Sequence, residues 1–210
     1  MDKKRIAVIF GGNSVEYEVS LQSACSVLEN INRDKFDIFQ VGITRSGEWY
    51  HYTGKREKIG SNTWFEDSEN LFPVAVSQSP SRKGFLEFAG GSCRIINTDL
   101  VFPVLYGRNG EDGTLQGLFE LAGISVVGCD TLSSAVCMDK DRAHKLVSLT
   151  GISVPKSVTF SHSGTEAAVK EIEDRLVYPP FCKTCPCRFI FRDNKDNGKG
   201  QTGCCHRAGI

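Results

Sequence analysis

The stretch KRIAVIFGGNSVEYEVSLQSACSVLENI, residues 4–31, decides the fold that the sequence predicts. Its apolar run, Lys4–Phe10, predicts a buried strand that ends in the glycine pair Gly11-Gly12. Apolar side chains then recur at helical spacing, which predicts a helix over Ser20–Ile31 with one buried face. That face consists of Leu21, Ala24, Cys25 and Leu28. A strand, a glycine turn and a helix in this order begin a parallel α/β unit.

Further apolar runs extend this pattern along the chain. Strands are predicted over Phe36–Ile43, Phe72–Val76, Gly84–Phe88, Thr98–Leu105, Ile124–Val127 and Val154–Phe160, with a hairpin return at Glu48–Tyr50 and a last strand led in by Leu176–Phe181. Helices are predicted over Thr114–Ala122, Ser133–Thr150 and Thr165–Glu173. The alternation of strands and helices predicts an α/β fold with a doubly wound parallel sheet.

Composition excludes several classes of protein. Of the 210 residues, 40% are hydrophobic and 24% are charged, which is typical of a soluble globular chain. Lysine plus arginine and aspartate plus glutamate number 25 each, so no net field favours nucleic acid or an anionic membrane. The first apolar run is too short for a membrane span and lacks a signal-peptide cleavage site. A cytoplasmic protein with reduced thiols is therefore expected.

Two glycine-rich segments each follow a predicted strand. In the first, Gly11–Glu16, the glycines allow close approach of a ligand and the helix start offers free N–H groups to an anion. In the second, Gly107–Gly113, the loop leads into a helix start that carries Glu111 and Asp112. Both segments also have a purely structural interpretation, as a tight turn and a capped helix whose carboxylates complement the helix dipole.

The full runs are more specific than their glycines. FGGNSVEYEVSLQSA, residues 10–24, resembles the signature of D-alanine–D-alanine ligases, which are ATP-grasp enzymes. The second signature of that family is H-G-x-x-G-E-D-G-x-x-Q-G. This chain matches it at Gly107, Gly110, Glu111, Asp112, Gly113, Gln116 and Gly117. It departs at the first position, where Tyr106 replaces histidine, and a phenol can donate a hydrogen bond but is not a cation at neutral pH.

The resemblance implies a role for particular residues. Glu16 would be the catalytic and substrate-binding carboxylate that holds the ammonium of the first D-alanine, with Ser20 supporting it at the helix start. Tyr106 would lie near the substrate's carboxylate, where the family has its histidine, and Gly107 would also bind the substrate. The wording of several segments, including SSAVCMDK at residues 133–140, looks closest to the vancomycin-resistance branch, whose members make D-alanyl-D-lactate or D-alanyl-D-serine.

ATP is the second ligand that the resemblance implies. Lys140, in the M-D-K run, and Lys183, in the Y-P-x-F-x-K run, would bind it. The complete family member also uses Mg²⁺, whose ligands lie in a C-terminal domain that this chain is expected to lack, so no metal-binding residue is assigned. The family allows a homodimer. The expected domains are a D-alanine-binding domain at 1–132 (the pre-ATP-grasp domain), the start of the central ATP-grasp domain at 133–183, and a disordered aberrant tail at 184–210.

The tail departs from the family pattern, and two interpretations compete. Cys182, Cys185, Cys187, Cys204, Cys205 and His206 could supply zinc ligands, although adjacent cysteines rarely chelate one ion. Alternatively, codons that are legal for Cys185–Ile210 can be chosen so that a frame shifted by one base encodes the family's G-S-S-x-G loop. The preferred interpretation is an inactive, frame-shifted front part of a ligase, and the alternative is a zinc-binding or small-molecule-binding adaptor.

Overall fold

A computed structural model describes residues 3–160, 172–176, 180–185 and 188–193 of the chain. The chain divides into two compact units, Met1–Ala135 and Val136–Ile210. The functional domain limits that the sequence predicts, 132/133 and 183/184, stay predictions. Within the described residues, no helix is long and apolar enough to cross a membrane.

The first unit contains one eight-stranded sheet with helices packed on it. Its main elements are β1 (Lys4–Gly11), α1 (Tyr17–Asn30), β2 (Phe36–Ile43), β3 (Trp49–Tyr52), α2 (Arg56–Gly60), β4 (Leu71–Val76), β5 (Gly84–Ala89), β6 (Ser92–Asn97), β7 (Leu100–Val104), α3 (Thr114–Leu121), β8 (Ser125–Val126) and α4 (Thr131–Met138), which extends three residues into the second unit. The strand order is β6-β5-β4-β3-β2-β1-β7-β8.

The sheet is parallel at one end and antiparallel at the other. Strands β2, β1, β7 and β8 run parallel, with register pairs such as Ile6↔Ile38 and Ile6↔Leu100. Strands β3 to β6 continue the sheet as antiparallel hairpins. The α/β class is therefore confirmed, but only β2, β1, β7 and β8 are parallel. Helix α1 connects β1 to β2, and α3 connects β7 to β8. Antiparallel neighbours need only short turns, which is why the region of residues 44–97 could join the sheet without crossover helices.

Helices cover both faces of β1, which explains its continuous apolar sequence. Ile6, Val8 and Phe10 point to the face where the buried stripe of α1 packs. Ala7 and Ile9 point to the opposite face, which Leu115 and Phe119 of α3 cover. Because successive side chains of a strand alternate between faces, one short strand supplies the centre of both cores.

One strand was not predicted, and one helix prediction was wrong, both for local reasons. Strand β6 was not predicted from the sequence; five of its six residues are exposed, so it buries no regular apolar face. The single helix predicted over Ser133–Thr150 is two helices, α4 and α5 (Lys140–Leu149). Asp139 separates them, since its carboxylate accepts hydrogen bonds from the backbone N–H groups of Asp141 (3.1 Å) and Arg142 (3.2 Å) and so caps α5.

The second unit contains α5 and a three-stranded antiparallel sheet in the order β10-β11-β9. These strands are β9 (Ser157–Phe160), β10 (Pro180–Cys185) and β11 (Arg188–Asp193). The sequence predicted disorder over 184–210, whereas the structure has β11 within that segment, where Phe189, Ile190 and Phe191 favour a strand. Residues 186–187 and 194–210, and most of the predicted helix Thr165–Glu173, lie outside the described residues.

The hydroxyl of Ser20 joins the first helix to two strand ends. Ser20 lies in the first turn of α1 and is fully buried. Its Oγ accepts a hydrogen bond from Gly11 N–H (2.8 Å) at the end of β1, and donates one to the carbonyl oxygen of Val104 at the end of β7. The two loops that follow β1 and β7 therefore start from points fixed to one another.

A buried carboxylate lies in the antiparallel part of the sheet. Glu87 of β5 is fully buried and contacts the His51 ring of β3 and the Arg94 guanidinium of β6, the latter at 2.6 Å. Burial alone would raise the pKa of Glu87, but the hydrogen bonds from Arg94 and His51 outweigh it and lower the pKa. The pKa of His51 is lowered, chiefly by burial and also by the Arg94 and Arg5 charges, although the neighbouring Glu87 carboxylate raises it.

Replacing Ser20 should destabilise the first unit. Ser20→Ala leaves one buried N–H and one buried carbonyl without their partner, which costs about 1–3 kcal/mol for each group. We expect urea unfolding to show a loss of about 2–6 kcal/mol in the free energy of unfolding. Ser26→Ala, which removes an exposed hydroxyl from the same helix, is the control and should change stability by less than about 0.5 kcal/mol. Equal effects of the two substitutions would contradict the role given to Ser20.

Stability should fall as the pH is lowered from 7 to 5. Because the pKa of His51 is lowered in the folded state, the unfolded chain binds a proton more readily as the pH passes its ordinary value of about 6.5. His51→Gln removes this group and should give a flatter profile of unfolding free energy against pH. Unfolding free energies are measured by urea unfolding at each pH. Parallel profiles for the unaltered protein and His51→Gln would contradict a lowered pKa of His51 in the folded state.

Candidate functional site

The two glycine-rich segments meet at the carboxyl ends of β1 and β7. The chain leaves β1 through α1 to β2 on one side, while β7 lies on the other side of β1. Connections to opposite sides of a strand open a crevice at its carboxyl end, and this is where parallel α/β sheets bind ligands. We call residues 12–16 the first loop and residues 105–113 the second loop; both start at this crevice.

The first loop is held by its own serine. Gly11, which precedes it, has φ +89°, and a Cβ there would lie 2.1 Å from the carbonyl oxygen of Ile43, so only glycine fits. Ser14 Oγ accepts a hydrogen bond from Glu16 N–H (3.0 Å) and donates one to Glu16 Oε2 (2.8 Å). Glu16 is the half-buried residue that precedes α1, and its side chain makes no capping bond to the helix.

The second loop is held by carboxylates that bind its own backbone. Gly107, at φ +72°, donates its N–H to Glu111 Oε2 (2.7 Å) and accepts from Glu111 N–H (3.0 Å). Asp112 accepts from the N–H groups of Asn109 (2.8 Å) and Thr114 (3.1 Å), the latter at the start of α3. Burial alone would raise the pKa of Asp112, but hydrogen bonds from Thr114 and Asn109 lower it. The carboxylates predicted as dipole partners thus also fix the loop.

Glu16 and Gly107 are in contact across the crevice. A Cβ placed on Gly107 would lie 2.5 Å from Glu16 Oε2 and 3.2 Å from Ser14 Oγ. The Glu16 carboxylate therefore lies directly against the backbone of the second loop, and a side chain at residue 107 would have to displace it. Residues that the two sequence signatures singled out separately are brought together here.

A small cavity lies beside this contact. Its volume is about 110 Å³, and residues of both loops and of the β2–β3 turn line it, among them Gly12, Asn13, Trp49, Tyr106, Arg108 and Asn109. Tyr106 is half-buried in its wall, while Glu16 is not among the lining residues. Gln116 ties the second loop to α3, because its Nε2 donates to the carbonyl oxygen of Gly110 (3.0 Å).

Sequence reasoning missed Ser14. It had placed Ser20 as a support of Glu16, whereas Ser20 fastens the strand ends and Ser14 is the serine that contacts the Glu16 carboxylate. The signal was present, because a serine two residues before the residue that precedes a helix is typical of a turn in which the hydroxyl accepts a backbone N–H.

The predicted ATP lysines belong to the second unit. Lys140 is exposed at the start of α5, and its Nζ donates to the carbonyl oxygen of Cys137 (2.8 Å). Lys183 lies in β10, and its side chain is outside the described part of the chain. For zinc, the described residues contain no group of three or more histidine, cysteine, aspartate or glutamate side chains that could hold a metal ion. Cys187, Cys204, Cys205 and His206 of the predicted zinc site lie outside the described residues.

Comparisons with known proteins agree with the resemblance seen in the motifs. Residues 5–129 match the family model described as D-ala D-ala ligase N-terminus. The chain is 45% identical over 197 residues to a D-alanine–D-alanine ligase of Acetivibrio thermocellus, covering 87% of this chain and 52% of that one. It is 39% identical over 181 residues to the vancomycin C-type resistance protein VanC1 of Enterococcus gallinarum, covering 86% and 50%.

A solved structure shows the same relationship. The VanG D-Ala:D-Ser ligase of Enterococcus faecalis matches with a TM-score of 0.83 and 62% identity, over 92% of this chain and 63% of that one. The chain spans about half the length of the curated relatives it matches. Since the family model covers most of the first unit, including both glycine-rich loops, this chain belongs to the D-alanine–D-alanine ligase family, whose N-terminal part it contains.

Proposed function

We propose that this chain provides the D-alanine-binding part of an ATP-dependent ligase that joins D-alanine to a second small D-amino or D-hydroxy acid. The enzyme would act in the cytoplasm, where ATP is available, in the synthesis of peptidoglycan precursors. The 62% identity to a protein described as a D-Ala:D-Ser ligase supports D-serine as the second substrate. The homodimer that the family allows stays a prediction.

The contact between Glu16 and Gly107 carries this proposal. It gives a half-buried carboxylate at the crevice between β1 and β7, with Oε2 bound to Ser14 and Oε1 without a hydrogen bond among the described residues. An ammonium group is the partner that such an oxygen prefers, because charge-assisted hydrogen bonds are about twice as strong as neutral ones. Glu16 would therefore bind the amine of D-alanine, while Tyr106 and the backbone of Gly107 would lie nearer its carboxylate.

The chemical reaction takes place at the carboxylate of D-alanine. In the proposed ligase, the D-alanine carboxylate would take the γ-phosphoryl group of ATP and release ADP. The amine or hydroxyl of the second substrate would then attack the acyl carbon, release inorganic phosphate and lose its proton. The role of this chain is to hold the amine end of D-alanine, so that the carboxylate of D-alanine keeps one position during phosphate transfer. A fixed first substrate also lowers the entropic cost of meeting the second one.

Lys140 fits a phosphate contact in this scheme. Its ammonium is exposed and uses one of its three N–H donors, on the Cys137 carbonyl. Lys183 is the second proposed ATP ligand. Magnesium is different, because the described residues offer no cluster of carboxylates suited to a metal ion, and no step is derived through it.

Glu16→Gln should weaken the binding of D-alanine strongly. Glutamine keeps the size of the side chain but loses its charge, and the loss of a hydrogen bond between charged groups weakens binding about 10- to 100-fold. D-Alanine is titrated into the 210-residue chain and the Kd is taken from NMR amide shifts. N-Acetyl-D-alanine, which lacks the ammonium, should not bind.

Glu18→Gln is the matched control for this substitution. Glu18 belongs to the same short run, but its carboxylate is exposed and pairs with Arg45. Glu18→Gln should therefore bind D-alanine as the unaltered protein does. A Kd for D-alanine that Glu16→Gln leaves unchanged, or an equal loss of binding with both variants, would refute the assignment of the amine to Glu16.

Gly107→Ala should also abolish D-alanine binding. The added methyl group would lie 2.5 Å from Glu16 Oε2 and would push the carboxylate away. Gly91→Ala is the control: Gly91 has φ +77°, similar to the +72° of Gly107, but a Cβ there meets no atom within 4 Å. Both variants should lose about 1 kcal/mol of stability through backbone strain. Only Gly107→Ala should lose D-alanine, and retained binding would show that the contact is dispensable.

A further inference from the structure

Ser14 makes a reciprocal pair of hydrogen bonds with Glu16. Its hydroxyl accepts from the backbone N–H of Glu16 at 3.0 Å, and its single proton goes to Glu16 Oε2 at 2.8 Å. A hydroxyl has only one proton to donate. The Ser14 hydroxyl therefore donates only to Glu16 Oε2. Its bond from the Glu16 backbone N–H fixes the direction of that donor.

The second loop closes the other side of this pair. A Cβ on Gly107 would lie 2.5 Å from Glu16 Oε2 and 3.2 Å from Ser14 Oγ, so both groups lie against the same glycine. The bond from Ser14 thus holds Oε2 on the Gly107 side. Oε1 is the oxygen left without a hydrogen bond among the described residues.

An unrestrained glutamate would not keep this arrangement. Its side chain has three rotatable bonds, and fixing such a side chain costs about 1.5–2 kcal/mol of conformational entropy. A ligand that meets an already fixed carboxylate does not pay that cost at the moment of binding. In Glu16 the restraint comes from a residue of the same loop, only two positions away.

We propose that Ser14 is a positioning residue for substrate recognition: it holds Glu16 Oε2 against Gly107 so that Oε1 alone faces the ammonium of D-alanine. The inference rests on the proposed function, in which Glu16 binds that ammonium. Ser14 itself does not touch the substrate. It acts through the orientation of the Glu16 carboxylate.

Three variants test this role in the 210-residue chain. Ser14→Ala should raise the Kd for D-alanine about tenfold, as expected for the loss of one hydrogen bond to a charged group. Ser14→Thr keeps the hydroxyl and should restore a Kd near that of the unaltered protein. Ser46→Ala is the matched control, because it removes a similar bond, from Ser46 Oγ to Glu48 Oε2 (3.1 Å), in the turn between β2 and β3. It should leave the Kd unchanged.

A second measurement follows the glutamate side chain directly. Three-bond NMR couplings of Glu16 should report one rotamer in the unaltered protein and in Ser14→Thr, and averaged rotamers in Ser14→Ala. A general loss of structure in Ser14→Ala would appear in the couplings of distant side chains and in the thermal midpoint. Unchanged Glu16 couplings in Ser14→Ala, or a weakened Kd that Ser14→Thr does not restore, would overturn the role of Ser14.

The outcomes separate this inference from the proposed function. If Glu16→Gln binds D-alanine much more weakly than the unaltered protein, while Ser14→Ala binds it as tightly, then Ser14 has no positioning role and the proposed function stands. If the unaltered protein and Glu16→Gln bind D-alanine equally, the proposed function fails, and the positioning of substrate by Ser14 fails with it.

Discussion

The hydroxyl of Ser20 is the interaction on which the site depends. A single buried group accepts from the end of β1 and donates to the end of β7, while its backbone N–H already belongs to the first turn of α1. A hydroxyl is suited to this position because it donates and accepts at once, whereas an amide or a carboxylate would need more room. The strand ends cannot separate without leaving polar groups unpaired in the core, and so the two loops keep a fixed distance.

Each loop then fixes its own shape by local hydrogen bonds. Ser14 does this in the first loop, and Glu111 and Asp112 do it in the second, through backbone N–H groups that no strand or helix satisfies. The closest approach between the loops occurs at Gly107, where the Glu16 carboxylate occupies the space that a side chain would need. Glycine is favoured at residue 107 for two reasons: its φ is positive, and a side chain there would displace the Glu16 carboxylate.

Much of the fold could be predicted from the sequence, and the failures have local causes. The bounds of β2 were predicted to the residue, because its apolar alternation is regular and both ends carry turn signals. The break between α4 and α5 was missed, since apolar periodicity continues through Asp139 and only its capping bonds reveal the new helix start. The exposed strand β6 carries no apolar pattern, and it belongs to the sheet because of its backbone pairing with β5.

The sequence by itself determined the α/β class, the two glycine-rich loops and the family, since all three depend on residue types at fixed local spacing. Tertiary structure decided which residues of those loops meet. Glu16 and Gly107 are far apart in the chain, and their contact exists because β1 and β7 are neighbours in the sheet. It also decided that Ser14, rather than Ser20, bonds to the Glu16 carboxylate, because the direction of a hydroxyl depends on the backbone that carries it.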